Sequence, residues 1–195
     1  MSTAGLLLAA GAGRRFGMPK ALAESGGERF VHRGLRTLLD GGCDPVHVVL
    51  GARASEVRAL LPAGTITVEA TDWAAGMGAS LRAGLDSLRG AEPGVDAVLV
   101  QLVDLPWVGP EVVTRLRASS TWSAVARAAY AGVPGHPVLL GRRWWAEIAE
   151  AAAGDRGARD WLATRQDLRL VECADIGSGA DVDTPTDLPP APPSA

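Results

Sequence analysis

The sequence predicts an α/β fold, a three-layer α/β/α sandwich around a mostly parallel sheet with an added antiparallel hairpin, and three observations carry that prediction. Apolar runs of strand length alternate with stretches of helical period. The strand-like runs, such as Leu6-Leu7-Leu8 and Ala97-Val-Leu-Val-Gln-Leu-Val103, are apolar on both faces, as where helices cover a sheet on both sides. After residue 120 two extended runs follow each other closely around Gly132, Pro134 and Gly135, which predicts a hairpin.

The elements are expected in this order. Gly5 to Ala10, Val46 to Gly51, Ile66 to Ala70 and Ala97 to Val103 are predicted strands, each bounded by Gly, Asp or Pro. Between them, Leu35, Leu38 and Leu39 mark one helix, and Val57, Leu60 and Leu61 a short one capped by Ser55. Met77, Leu81, Leu85 and Leu88 give the clearest helical stripe, over Gly76 to Arg89, and Val112, Val113 and Leu116 mark another. The hairpin pairs Ala124 to Tyr130 with Pro137 to Leu140, followed by helices over Arg142 to Ala153 and Ala158 to Thr164. Trp144, Trp145 and Trp161 fall at helical positions and are expected in the core.

With 195 residues, 47% hydrophobic and 21% charged, the chain fits one domain, expected over 1–188, and the four prolines of 189–195 predict a frayed tail. Nineteen Lys and Arg against 22 Asp and Glu leave a net charge of −3, with no basic surplus for a nucleic acid. Two cysteines, Cys43 and Cys173, and three histidines, His32, His47 and His136, lack the spacing of a zinc site or a disulfide framework. No apolar run reaches membrane-spanning length, and the short run Leu6 to Ala12 has its charges on the wrong side for a signal peptide, so a cytoplasmic protein is expected.

The first strand runs into Gly11-Ala12-Gly13-Arg14-Arg15-Phe16-Gly17-Met18-Pro19-Lys20. A glycine-rich turn at the carboxyl end of the first strand of an open sheet can offer backbone N–H groups to phosphate oxygens. It is not a P-loop, because Lys20 follows Pro19 and the glycine spacing is too long. Nor is it a dinucleotide fingerprint, because Phe16 stands in place of the third glycine and the second strand ends in Gly51-Ala52-Arg53 without a ribose-binding acid. Lys20 is the only lysine in a chain otherwise served by arginine, and a compact ammonium suits a phosphate oxygen in a narrow loop. Asp104 ends the most apolar strand, at the same carboxyl edge, although it could also cap the turn before Pro106. Asp181 and Asp183, two apart in an extended stretch, are expected to point to opposite sides, so that only one faces the site. Trp73, Gly76, Met77 and Ser80 follow the third strand and are expected at the same carboxyl edge, with helix packing the alternative for Trp73.

Leu8-Ala9-Ala10-Gly11-Ala12-Gly13-Arg14-Arg15-Phe16-Gly17-Met18-Pro19-Lys20 resembles the signature L-A-A-G-x-[SG]-x-R-x-G-x-P-K of the MobA-like nucleotidyltransferases. Trp73-x-x-Gly76-Met77-x-x-Ser80-Leu81, Asp104-Leu105-Pro106, Gly135-His136-Pro137-Val138, Gly154-Asp155-Arg156-Gly157-Ala158-Arg159 and Asp181-Val182-Asp183-Thr184-Pro185-x-Asp187-Leu188 extend the resemblance over most of the chain. The Ala-Ala-Gly spelling is more similar to the molybdenum cofactor cytidylyltransferases than to the guanylyltransferases.

The resemblance implies a Rossmann-like nucleotidyltransferase. Leu8, Ala9, Ala10, Gly11, Ala12 and Gly13, with Gly76 and Ser80, would hold the nucleotide, and Arg15 and Lys20 its triphosphate. Asp104 and Asp183 would hold Mg2+, while Asp181 or Asp187 serves as a turn or cap residue. Trp73 and His136 would lie near the second substrate, His136 not as a general base, and Arg14 would face solvent. The implied reaction moves CMP from CTP to a phosphorylated small-molecule acceptor, a molybdopterin-type cofactor, and releases pyrophosphate. A molybdoenzyme is a possible recipient of the product. Sugar or polyol phosphates as acceptors, and a non-catalytic cofactor carrier or insertion chaperone, stand as alternatives. A nicotinamide-dependent oxidoreductase is disfavoured by the loop spacing and the missing acid.

Overall fold

The computed structural model describes residues 1–188, so the proline-rich stretch 189–195 lies outside the described residues. In chain order, β1 (Thr3–Ala9) is followed by a small ribbon of β2 (Glu24–Ser25) and β3 (Glu28–Arg29), then by α1 (Phe30–Asp40), β4 (Val46–Leu50), α2 (Ala54–Leu60) and β5 (Ile66–Glu69). Next come α3 (Met77–Ala91), β6 (Ala97–Leu102) and α4 (Pro110–Arg117). The remaining elements are β7 (Val125–Tyr130), β8 (Val133–Gly141), α5 (Trp145–Ala151), α6 (Arg159–Ala163) and β9 (Arg169–Glu172).

One sheet of seven strands runs in the order β5-β4-β1-β6-β8-β7-β9. β4 and β6 pair parallel with β1, and β5 pairs parallel with β4. β8 runs antiparallel to both β6 and β7, and β9 is parallel to β7, so β8 alone is reversed. The alternation of β1 explains the layers. Leu7 and Ala9 face the core under α1, α2 and α4, while Leu6 and Leu8 face the core under α3, α5 and α6. All seven β1 residues are buried, each large aliphatic contributing about 1.5–3 kcal/mol of burial. Trp145 and Trp161 fill the second core, whereas Trp144 is only partly buried and stacks beneath the guanidinium of Arg165, 4.1 Å from its ring centre.

Two local expectations are corrected. Ser55 is not a cap: α2 starts at Ala54, the preceding Arg53 is left-handed (φ 53°), and no side chain caps it. The hairpin turn is tighter than its glycines and proline suggest, because Pro134 and Gly135 already belong to β8. Ala131 and Gly132, both at positive φ, make the turn, and the Glu172 carboxylate accepts both their N–H groups at 2.9 Å. The sequence pattern does not predict β9. Its Arg-Leu-Val-Glu is largely exposed at the sheet edge, where hydrophobic patterning is weak.

Candidate active site

β1, β4, β5 and β6 end at one edge of the sheet, and the loop leaving β1 folds back across it. Gly13, at φ +60°, makes the sharp turn; a Cβ there would lie 1.9 Å from the Met18 carbonyl oxygen, so no other residue fits without moving the chain. Gly17 N–H closes the turn on Gly13 O at 2.8 Å. The next residues form a short 3-10 turn, Lys20–Leu22, whose Ala21 and Leu22 are buried and hold Lys20 against the end of β6.

Two backbone bonds place the carboxylates. Val103 N–H donates to Leu8 O at 3.1 Å, continuing the pairing of β6 with β1 up to Asp104. Val182 N–H then donates to Asp104 O at 3.0 Å, and its fully buried side chain packs with Phe30 and Ala23. Asp183 is thereby delivered beside Asp104. The expectation that alternation separates Asp181 from Asp183 is corrected, since residues two apart share a face in a regular strand. This stretch is irregular, and that is why Asp183 turns inward while Asp181 is exposed. Asp187 is the cap, accepting the N–H groups of Asp183 and Thr184 at 3.0 and 2.7 Å.

Lys20 Nζ donates to Asp104 Oδ2 and Asp183 Oδ1, both at 2.9 Å, and Arg15 pairs with Asp183 Oδ2 at 2.7 Å. The Lys20 side chain is only 14% exposed, against 76% for Arg15. Burial opposes the charge on Lys20, but the hydrogen bonds and charges of Asp104 and Asp183 outweigh it and raise its pKa above the ordinary lysine value. The Lys20 hydrogen bond, with the charges of Lys20 and Arg15, holds the Asp183 carboxyl below its ordinary value. Asp104 Oδ1 is buried and has no hydrogen-bond partner among the described residues.

These groups line one end of a cavity of about 520 Å3. Leu8, Gly11, Ala12, Gly13, Arg15, Lys20, Asp104 and Asp183 lie on its wall, and Trp73, Gly76, Met77 and Ser80 form the other side. Gly76 is required there by φ +111° and by the Gly154 backbone, 2.4 Å from where a Cβ would stand. Three expected site residues are not on the wall. Ala9 and Ala10 do not line the cavity, because the last residues of β1 and the one after it send their methyl groups into the two cores. His136 is not on the wall either. It sits half-buried on β8, where burial, with the charges of Arg127 and Arg159, pushes its pKa down to about 4. Arg14 is exposed as expected and yet borders the cavity. Asp155 also borders it, a residue of the Gly154–Arg159 motif that the sequence alone does not assign to the site. Its signal was the pair Gly154 and Gly157, both at positive φ, which bend the chain back over Gly76.

The donor set suits a hard divalent cation. Two carboxylates at the cavity wall, one with a buried oxygen lacking a partner, match the preference of Mg2+ for one or two carboxylates completed by phosphate oxygens and water. Among the described residues no three His, Cys, Asp or Glu side chains converge as an all-protein cage.

A mostly parallel open sheet with a glycine turn, a cationic pair and paired carboxylates at its carboxyl edge defines a nucleotide-handling enzyme class. Residues 5–170 match the MobA-like NTP transferase domain, and the chain belongs to that family, whose enzyme class is nucleotidyltransferase. A relative named nicotine blue oxidoreductase, from Paenarthrobacter nicotinovorans, is 39% identical over 191 residues, covering 92% of this chain and 91% of its own. Among solved structures, Rv0371c from Mycobacterium tuberculosis is 28% identical with a TM-score of 0.80, covering 96% of this chain and 95% of its own. That protein has also been solved in complex with manganese, a structure that aligns at 27% identity and TM-score 0.74 over 88% of each chain. A nucleotidyl transferase from Methanothermobacter thermautotroptrophicus is 26% identical with a TM-score of 0.73, covering 88% of this chain and 87% of its own.

Proposed function

We propose that this protein transfers CMP from CTP to a phosphorylated small molecule, a molybdopterin-type cofactor, with release of pyrophosphate. The observation that carries the transfer reaction is the Lys20 ammonium held between Asp104 and Asp183 at the wall of the cavity. CTP and the pterin rest on the loop spelling and the downstream motifs alone. An acceptor phosphomonoester has its second pKa near 6, so it is already a nucleophilic anion at neutral pH and needs no general base. Its oxygen forms a new bond to the α-phosphorus while the bond from that phosphorus to the bridging oxygen breaks, and the electron pair leaves with pyrophosphate. The loop N–H groups, Lys20 and Arg15 bind and neutralise the triphosphate, and the apolar wall of Trp73 and Met77 positions the base or acceptor and excludes water. Asp104 and Asp183 would hold Mg2+, which when bound supplies charge neutralisation at the phosphates.

Pyrophosphate release, assayed with each of four nucleoside triphosphates against a panel of phosphorylated acceptors, tests the proposal. CTP with a pterin phosphate should give the highest rate. A sugar or polyol phosphate giving a higher rate would move the acceptor, and binding without turnover would favour a cofactor carrier. One observation favours a second reading, oxidoreduction: the relative sharing 39% of its residues is named for it. Tight binding of a nicotinamide dinucleotide, with no CTP binding and no pyrophosphate formed, would select that reading instead.

A further inference from the structure

We infer that Lys20 is the resident counter-ion of the metal-binding carboxylates, so that a divalent cation is held there only after a triphosphate has drawn Lys20 and Arg15 away. The inference rests on the proposed function only for the identity of the group that draws them off.

The geometry is that of a filled site. The same Nζ contacts both carboxylates at 2.9 Å, so the ammonium sits between the two groups that would hold the ion. Arg15 takes the second oxygen of Asp183 at 2.7 Å, which leaves that carboxylate with both oxygens engaged by cations. Of the four oxygens of these two carboxylates, Asp104 Oδ1 alone has no hydrogen-bond partner among the described residues. The charge is balanced, two carboxylates against two cations, and a third, doubly charged ion added to this arrangement would meet Lys20 at close range. Repulsion between like charges is stronger where water is scarce, and the Lys20 side chain is only 14% exposed.

A triphosphate reverses this balance. Its oxygens compete for Lys20 and Arg15, the residues of the loop that wraps this end of the cavity, and they also supply the ligands that two carboxylates alone lack. The two cationic side chains differ in how readily they move. Arg15 is 76% exposed and can swing without disturbing the fold, whereas Lys20 starts a short turn anchored by buried Ala21 and Leu22, so only its flexible stem can move. Binding of nucleotide and cation is therefore expected to be strongly cooperative, with the cation weak on the protein alone.

The test is direct Mn2+ binding, by the electron paramagnetic resonance of free Mn2+ and by calorimetry, on nucleotide-free protein, with no turnover involved. The wild type should bind Mn2+ weakly, Lys20→Met should bind it roughly tenfold tighter or more, and Arg15→Gln should tighten it by a smaller factor. A non-hydrolysable CTP analogue should raise wild-type Mn2+ affinity far more than that of Lys20→Met. Circular dichroism and the melting temperature establish that each variant is folded, and the highly exposed Arg15 keeps the test alive should Lys20→Met not fold. Nucleotide-free Mn2+ affinities of Lys20→Met and Arg15→Gln within about threefold of wild type would overturn the inference, even if pyrophosphate is released in turnover. Tightening in the variants with no response to any triphosphate would support the counter-ion role of Lys20 and sink the proposed function instead.

Discussion

The carboxyl edges of β1 and β6 gather Arg15, Lys20, Asp104 and Asp183, and this end of the cavity is a dense, balanced ionic cluster. The wall across from it, after β5 and along the start of α3, is Trp73, Ala74, Gly76, Met77 and Ser80, with the Asp155 carboxylate also bordering the cavity. The two ends answer to different chemistry. Charge that develops during phosphoryl transfer must be met by fixed charges, so the first end should govern turnover. A flat ring or an apolar edge is recognised by shape and stacking, so the second should govern which molecules bind.

The largest expected effect lies at the charged end. Lys20→Ala and Asp104→Asn should each lower kcat about a hundredfold, the ~3 kcal/mol typical of losing one preorganised electrostatic contact, with circular dichroism unchanged. Asp183→Asn should fall in the same class, and Asp181→Asn, whose side chain is exposed, should stay near wild type. If Asp181→Asn is the more damaging of that pair in steady-state kinetics, Asp183 is not the carboxylate that serves turnover.

Selectivity comes next. CTP should exceed GTP in kcat/KM by roughly tenfold or more, the scale of a misfit in an apolar pocket. Ala10 is only 4% exposed and its methyl lies in the core, so Ala10→Gly should leave that ratio nearly unchanged and cost ~1 kcal/mol of stability instead. A ratio that collapses in Ala10→Gly would mean the methyl does reach the base. Trp73→Leu should sharpen the contrast between the two ends by raising KM with kcat little altered, the pattern of lost uniform binding. A fall in kcat as large as that of Lys20→Ala would erase the division.

The smallest effect concerns pH. His136 has its folded pKa pushed to about 4 from 6.5, so the fold favours its neutral form. Its contribution to stability is complete above about 6.5 and is lost as pH falls from there towards 4. His47, lowered chiefly by burial, acts in the same direction, so the measurement is the difference between wild type and His136→Asn. Melting temperature should fall less steeply between pH 7 and 4 in the variant. Equal slopes would remove His136 from the account.

The parallel half of the molecule was far more legible in sequence than the added half. Leu6 to Leu8 and Ala97 to Val100 are buried on both faces, so the strands show as unbroken apolar runs bounded by Gly, Asp or Pro. β9 and the ribbon of β2 and β3 have exposed or half-buried charged residues, and nothing in their pattern separates a strand from a loop. The site shows the same division. Lys20 stood out as the lone lysine, and Asp104 as the acid ending the most apolar strand. That both bond to Asp183 is set by Val182 N–H on Asp104 O, a contact between residues 78 positions apart in the chain that no local spacing encodes. Ala9 and Ala10 stand off the cavity because a motif lists residues along the chain, while burial decides which side chains reach it.

The central claim is that the ionic end carries nucleotidyl transfer, and following two phosphorus labels through a single turnover tests it most directly. With CTP labelled at the α-phosphate, Mg2+ and a pterin phosphate acceptor, the label should pass to the acceptor, and label placed at the γ-position should emerge in pyrophosphate. Lys20→Ala should slow both transfers equally. Label that stays in CTP across the acceptor panel, or γ-label released as inorganic phosphate while the acceptor remains unlabelled, would contradict the account.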